Sequence, residues 1–503
     1  MCFGIFLVFI CGAGRTQTAS SHLLDGDAKI SAKRAVELYE KGYKEDPWVK
    51  HPDAATLAWG EFYTLQALVD LYEATEDRKY LDEVAFRGGR VLTHRDDKRG
   101  VTDGSGISRP AWTMGQDFVT AEAKLLDSKG RPVIELRSTT FDYNNSTRVV
   151  LEPIGHSRFN LVVSNERKKR TETFTNLSLN PSDDRYIEKI VNDPKAPPQA
   201  KPGSYTEKSN LLRVTKVHRG RRPGGQSLML SPIPLAFMGY TGIIYDPMMR
   251  FAEVVKNNKK LSDLLPTADR FIRAAEETYS DAVPRLWRNG PGEDEGYYLC
   301  SEKGESFPWD NVGLPFNFLA KHVCTELALY RLTNKREYLD RSQKMINLFR
   351  NRLRYKSENN TYSWDYWYEP VTTTGWEPAD GISENIRFLK PFSGPEDISH
   401  AAITISLVEA GYKMGVGFDK TDMKRFANTL LYNILQEDGI SVSSDVAGQG
   451  KGQEYFPQIY GYLCLTEGNP RVYTTIKDAY LKWEREHLPF CAALLKWDNK
   501  AKK

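Results

Sequence analysis

The chain has 503 residues, of which 40% are hydrophobic and 27% charged, with a mean hydropathy of −0.53 and a net charge of +3 at pH 7. That is the composition of an ordinary globular protein with enough core for two or three domains, and the charge is too small to imply nucleic-acid binding. The aromatic content is less ordinary: 10 Trp, 26 Tyr and 22 Phe, many of them gathered in short loop-like stretches.

The N-terminus opens on an apolar run over residues 3–14, too short to span a bilayer and followed by small residues. It reads as a signal peptide over 1–20, although no Lys or Arg precedes it, so a secreted protein is expected. Later stretches are too short or too polar to cross a membrane. Cys2 and Cys11 would leave with the signal, and Cys300, Cys324, Cys464 and Cys491 would remain as disulfides or as buried thiols. Glycosylation patterns at 144–147, 176–178 and 359–361 fit secretion.

Residues 21–117 read as helical hairpins. "LYEATEDRKYLDEVAFRGGRVL" from Leu71 is echoed by "LYRLTNKREYLDRSQKMINLF" from Leu329, and more loosely by the segment from Leu407. Each reads as a helix end, a polar turn and a new helix, a unit whose apolar face only neighbouring units can cover. Between 118 and 180 the periodicity changes to short β-branched runs broken by Gly, Asn and Pro, predicting a small antiparallel β module. Residues 181–240 read as a basic extended linker, with Arg213, Lys216, His218, Arg219, Arg221 and Arg222 either solvated or facing an anionic partner. Residues 241–503 return to helical spacing. The expected fold is mainly α: an α/α toroid, an incomplete barrel of helical hairpins, with the β module inserted.

Aromatic and polar residues mix at five predicted helix ends: 288–298, 307–311, 362–370, 394–400 and 452–462. Sugar rings present flat apolar faces with a rim of hydroxyls, which suits Trp and Tyr beside Asp, Glu, Asn and His. Trp309, Trp364, Trp367 and Tyr366 lie beside Asp310, Asn311, Asp365 and Glu369 in this way. "GPEDISH" places Glu396, Asp397 and His400 before an apolar helix, where the acids serve as capping groups or as part of a site. A helix mouth favours a neutral imidazole at His400, and its two acidic neighbours favour the charged one.

The paired "LY…T…YLD" hairpins, the strand-rich insertion, "PWDN", "W-x-Y-W" and "EDISH" together resemble helical-toroid carbohydrate-active enzymes. The likeness is to lyases and epimerases acting on uronic acids, such as alginate, glucuronan and glycosaminoglycan lyases. The resemblance implies β-elimination, with a group that neutralises the substrate carboxylate, a base that removes the C5 proton and an acid that protonates the leaving oxygen. Carried onto this chain, Asn311 would neutralise, His400 would be the base or a second neutraliser, and Tyr298 or Tyr366 the proton donor. Trp309, Trp364, Trp367, Glu295, Asp310, Glu396 and Asp397 would bind an anionic polysaccharide. Two other readings stay open. One is an inverting glycoside hydrolase using two of Glu293, Asp294, Glu295, Asp310, Asp365, Glu396 and Asp397. The other is a polysaccharide-binding protein without catalysis. No cofactor is expected, the remaining cysteines lack the close pairs of structural zinc sites, and the resemblance leaves room for a divalent metal.

Overall fold

A computed structural model describes residues 26–44, 50, 52–140, 142–192, 209–368, 371–385 and 389–502. The signal-peptide assignment, with Cys2 and Cys11, lies outside the described residues, as does Glu369. The fold is mainly helical and carries small antiparallel sheets.

The repeated sequence unit has a common physical basis. Helix α1 is Ala32–Gly42; α2, Phe62–Thr75, continues from a π-helical turn over Leu57–Glu61, and α3 is Lys79–Thr93. At the α2–α3 corner Thr75 Oγ1 donates to the Leu71 carbonyl at 2.7 Å and Glu76, at φ +57°, donates its N–H to Tyr72 at 2.8 Å. Asp77 N–H then donates to Thr75 Oγ1 at 3.3 Å. Helices α6, Phe316–Thr333, and α7, Arg336–Arg350, meet in the same corner. Thr333 Oγ1 donates to Leu329 at 2.7 Å, Asn334 at φ +58° donates to Tyr330 at 2.7 Å, and Lys335 N–H donates to Thr333 Oγ1 at 3.4 Å. The threonine of the "LY…T" pattern thus satisfies a late helix carbonyl and caps the turn that reverses the chain.

Between these hairpins run α4, Met238–Lys256, and α5, Leu265–Leu286; after them come α8, Ile398–Met414, and α9, Lys420–Asn428. A 3₁₀ run over Gln453–Glu467 is followed by α10, Arg471–Lys482, and α11, Leu488–Lys502. Helix α2 packs on α4, α4 on α6, α6 on α8, α8 on the 3₁₀ run, the run on α11, and α11 back on α2. These elements are apolar on most of their surface, whereas α3, α5, α7 and α10 carry one buried stripe and pack against them through it.

The β module contains two four-stranded sheets over their own apolar core. Strands β1 (Ala121–Leu126), β2 (Pro132–Ser138), β3 (Thr147–Ile154), β4 (Arg158–Asn165) and β5 (Arg170–Ser178) are joined by β6 (Leu212–Val217), β7 (Gln226–Met229) and β8 (Ser231–Pro232). The orders are β6-β2-β1-β8 and β5-β4-β3-β7. The module therefore runs past residue 180, since β6, β7 and β8 fall in the expected basic linker, of which residues 193–208 lie outside the described residues. In β6, Leu212 and Val214 point into the core while Arg213 and Lys216 lie on partly or fully exposed positions, and this charged outer row gave the segment its basic, loop-like look. His218 pairs with Glu135 at 2.6 Å and Arg221 donates to the Pro132 carbonyl at 2.6 Å, so the patch is partly neutralised on its own sheet. The four described cysteines are free thiols and form no disulfide.

Midway along α2, α4, α6 and α11 lies a set of ion pairs. Arg250 of α4 donates to Asp70 and Glu73 of α2 at 2.6 and 2.9 Å, and Lys496 of α11 reaches the same two acids at 2.9 and 2.8 Å. Lys321 of α6 pairs with Asp246 of α4 at 2.8 Å. Removing one member leaves opposite charges unpaired between helices, a cost of about 3 kcal/mol or more for buried pairs. Asp70→Ala is therefore expected to lower unfolding stability in urea by about 3 kcal/mol. Asp82→Ala, which breaks an exposed pair with Arg78, should change it by less than about 1 kcal/mol.

Candidate functional site

The starts of α2, α4, α6 and α8 lie together, joined by ring contacts. Trp59, in the turn before α2, meets Tyr240 of α4 at 6.1 Å between centroids, Phe318 of α6 at 6.0 Å and His400 of α8 at 6.3 Å. That turn is held by Glu61, whose two carboxylate oxygens accept from Nη2 and Nε of Arg87 at 2.6 and 2.7 Å; both side chains are almost fully buried.

Asp397 is the N-cap of α8 and accepts from the Ser399 and His400 amides at 3.0 and 3.2 Å. Its other oxygen accepts from Nδ1 of His400, a buried side chain that is 7% exposed. Burial works against the charge on Asp397, yet the His400 imidazole, the Ser399 hydroxyl and the His400 amide hold its carboxyl down at about 2. Glu396, next in the chain, is completely buried between Trp364 Nε1 and Thr404 Oγ1, the latter donating at 2.9 Å. Burial, with Asp397 nearby, drives its carboxyl well above the usual range. Two adjacent acids are thus pushed in opposite directions, one held charged against an imidazole and one held neutral in the core.

Tyr366 lies against His400, with ring centroids 4.9 Å apart. The segment is fixed by the Tyr366 amide donating to Gly394 at 3.0 Å and by its carbonyl accepting from Phe316 at 3.3 Å. Burial, followed by the neighbouring carboxyls of Asp397 and Glu396, raises its phenol well above the ordinary value, so it holds its proton. Asn317, the second residue of α6, sits between Phe316 and Phe318. It is 0% exposed, and neither Oδ1 nor Nδ2 has a hydrogen-bond partner among the described residues. Tyr240 and Asn317 were outside the sequence assignments. Trp59 lies in "AWGEFY", a stretch with the right mixture of side chains, but nothing local distinguishes Asn317.

The other expected residues are divided among neighbouring structures. Trp364 is fully buried and serves as the donor to Glu396. Trp309 packs on Trp367 at 5.2 Å and on Phe392 at 5.3 Å, and Trp367 Nε1 donates to the Gly313 carbonyl at 2.7 Å. Asp310 is buried and accepts from the amides of Gly304, Glu384 and Asn385 and from Ser383 Oγ. Asn311, at φ +61°, donates Nδ2 to the Ile382 carbonyl at 2.9 Å. Both residues thereby pin the 382–385 segment onto the 301–313 loop. Glu295 accepts from Arg352 at 2.8 Å, Asn351 at 2.7 Å and the Gly292 amide at 2.9 Å.

Tyr298, on strand β9 (Gly296–Tyr298), is 0% exposed and donates to Glu326 of α6 at 2.7 Å; Arg341 donates to the other oxygen at 2.6 Å. Its ring packs on His322 at 4.8 Å. There the Met238 carbonyl takes Nε2 and Tyr279 donates to Nδ1 at 2.8 Å, an arrangement that suits a neutral imidazole; burial pushes it down to about 3. Thus Tyr366 and His400 are brought together with Asp397, while Tyr298 and Asn311 use their polar groups in other contacts. A separate polar depression of about 530 Å³, lined by Arg95, Asp97, Lys98, Glu277 and Asp281 among others, shares no residue with this cluster. Among the described residues no group of three His, Cys, Asp or Glu is placed to hold a metal ion, and no helix is long and apolar enough to cross a membrane. No family model, curated protein or solved structure matches the chain.

Burial pushes the Glu326 carboxyl up to about 7 against the pull of Arg341 and Tyr298. With the folded value above the unfolded one, its favourable contribution is complete below 4.5 and is lost as pH rises through 7. Tyr298→Phe removes a donor to the ionised form and deepens that loss. Chemical denaturation should show a destabilisation of about 1–2 kcal/mol in acid that grows above neutrality; a pH-independent difference would count against this arrangement.

Proposed function

We propose that the chain is a secreted carbohydrate-active enzyme that cleaves a uronic-acid polysaccharide by β-elimination, with Tyr366, His400 and Asp397 at its centre. The order of helix packing, which returns from α11 to α2, supports an α/α toroid with the starts of the inner helices at a common mouth. Helix N-termini carry partial positive charge, which favours an anionic ligand there.

The observation that carries the reading is the ring of Tyr366 against an imidazole whose Nδ1 is engaged by Asp397. With Nδ1 tied to a carboxylate, Nε2 is the nitrogen left to accept a proton from the carbon next to the substrate carboxylate. The electron pair released forms the C4–C5 double bond as the C4–oxygen bond breaks, and the neutral Tyr366 phenol supplies a proton to the leaving oxygen. Asp397 holds the imidazole orientation and offsets the charge it acquires. Asn311 has no part in this scheme, because its amide donates to Ile382.

Hydrolysis by a carboxylate pair is less well supported. Glu295, Asp310 and Asp365 are tied to Arg352, to backbone amides and to Arg354. Asp294 accepts from Asn347, Glu396 is sealed in the core and Asp397 is taken by His400. Incubation with a panel of polyuronates and glycosaminoglycans should generate the ultraviolet absorbance of the unsaturated product. His400→Ala and Tyr366→Phe should each lower its rate by about 10²–10⁴-fold with unchanged circular dichroism. New reducing ends without that absorbance would shift the reading to hydrolysis.

A further inference from the structure

Asn317 carries chemistry that the elimination scheme leaves unused. In a helix, positions four and seven residues on from it share its face. Lys321 on that stripe reaches Asp246 of α4 at 2.8 Å, and Cys324 reaches Ser406 Oγ of α8 at 3.3 Å. The stripe therefore runs between α4 and α8 on the inner side of α6, and Asn317 is its outermost member, at the helix start. Its neighbours on either side touch the site: Phe316 donates its amide to the Tyr366 carbonyl, and Phe318 packs on Trp59 and Tyr240, with centroids 6.0 and 5.7 Å away.

An amide fully removed from water normally has partners for both its oxygen and its nitrogen. Here neither atom has one among the described residues. A carboxylate would satisfy only Nδ2 and set its own lone pairs against Oδ1. A secondary amide points its N–H and C=O in opposite directions and cannot engage both atoms from one side. Two vicinal hydroxyls of a sugar ring can, one donating to Oδ1 and the other accepting from Nδ2.

We propose that Asn317 binds a vicinal hydroxyl pair of the sugar residue held at the mouth, so that this site takes units whose ring hydroxyls carry no acyl or sulfo substituent. The inference rests on the carbohydrate reading of the mouth, but not on elimination as the reaction. It makes Asn317 a specificity residue, distinct from the proton-transfer groups Tyr366 and His400.

The test pairs stability with binding. Asn317→Leu replaces an unsatisfied buried amide by an apolar group of similar size, so the free variant should melt at or above the wild-type temperature. Isothermal titration with a glucuronic-acid hexasaccharide should give an affinity about 10- to 100-fold weaker for the variant than for wild type. The same hexasaccharide acetylated on its ring hydroxyls should bind both proteins equally weakly. Asn317→Ala provides the same binding comparison if leucine is not accommodated. A destabilised variant with unchanged affinity would overturn the proposal and assign the amide a structural role, such as holding a buried water. Product absorbance with no difference in affinity would overturn it while leaving elimination intact. Hydroxyl-dependent binding that Asn317→Leu abolishes, in a protein that forms no unsaturated product, would uphold it and remove elimination. No binding of the hexasaccharide to wild type would overturn it outright.

Discussion

Helices buried on most of their surface must dispose of their polar ends inside the protein, and the rest of this structure follows from that constraint. The first four N–H groups of an α-helix have no partner within it. At α8 the need is met by Asp397, which accepts from two first-turn amides and from His400. The residue that caps the helix is therefore the one that orients the imidazole. For "EDISH" the capping role and the proposed active-site role are compatible, because the carboxylate that caps α8 also engages the imidazole.

The same constraint explains why Glu396 and Asp397, adjacent in sequence, diverge chemically. Asp397 has backbone amides and an imidazole around it, and each favours its charge. Glu396 faces the other way, into a pocket offering an indole N–H and a hydroxyl, which is too little to offset burial.

What the sequence disclosed was whatever depends on local chemistry. The threonine corners behind the Leu71 and Leu329 repeats are complete within a few residues, so the repeat was visible as text. The pairing of Tyr366 with His400 was foreshadowed because aromatic and acidic residues crowd both stretches. Strands β6 and β7 were hidden, since their partners β2 and β3 lie more than 70 residues earlier and their outer faces carry the charge that suggested a linker. Tyr298 misled for a related reason: its partner Glu326 is 28 residues away on a helix, and nothing in "EGYY" announces it. Asn317 was beyond reach altogether, because what distinguishes it is a missing partner.

The inner helices also differ along their length in how fully their polar groups are matched. Farther from the mouth, Asp70, Glu73, Asp246, Arg250, Lys321 and Lys496 pair with one another across α2, α4, α6 and α11. At the mouth an amide has no partner among the described residues and a phenol is held beside two carboxyl groups. A fold selected only for stability would treat both regions alike, since a buried unsatisfied group costs about 1–3 kcal/mol and an apolar replacement removes the cost. Single unmatched polar atoms occur elsewhere among the described residues, on Ser342 and Thr466 for example, but Asn317 is the side chain there with two such atoms, its donor and its acceptor. The ion pairs farther in supply the rigidity against which the unmatched groups at the mouth are held in position.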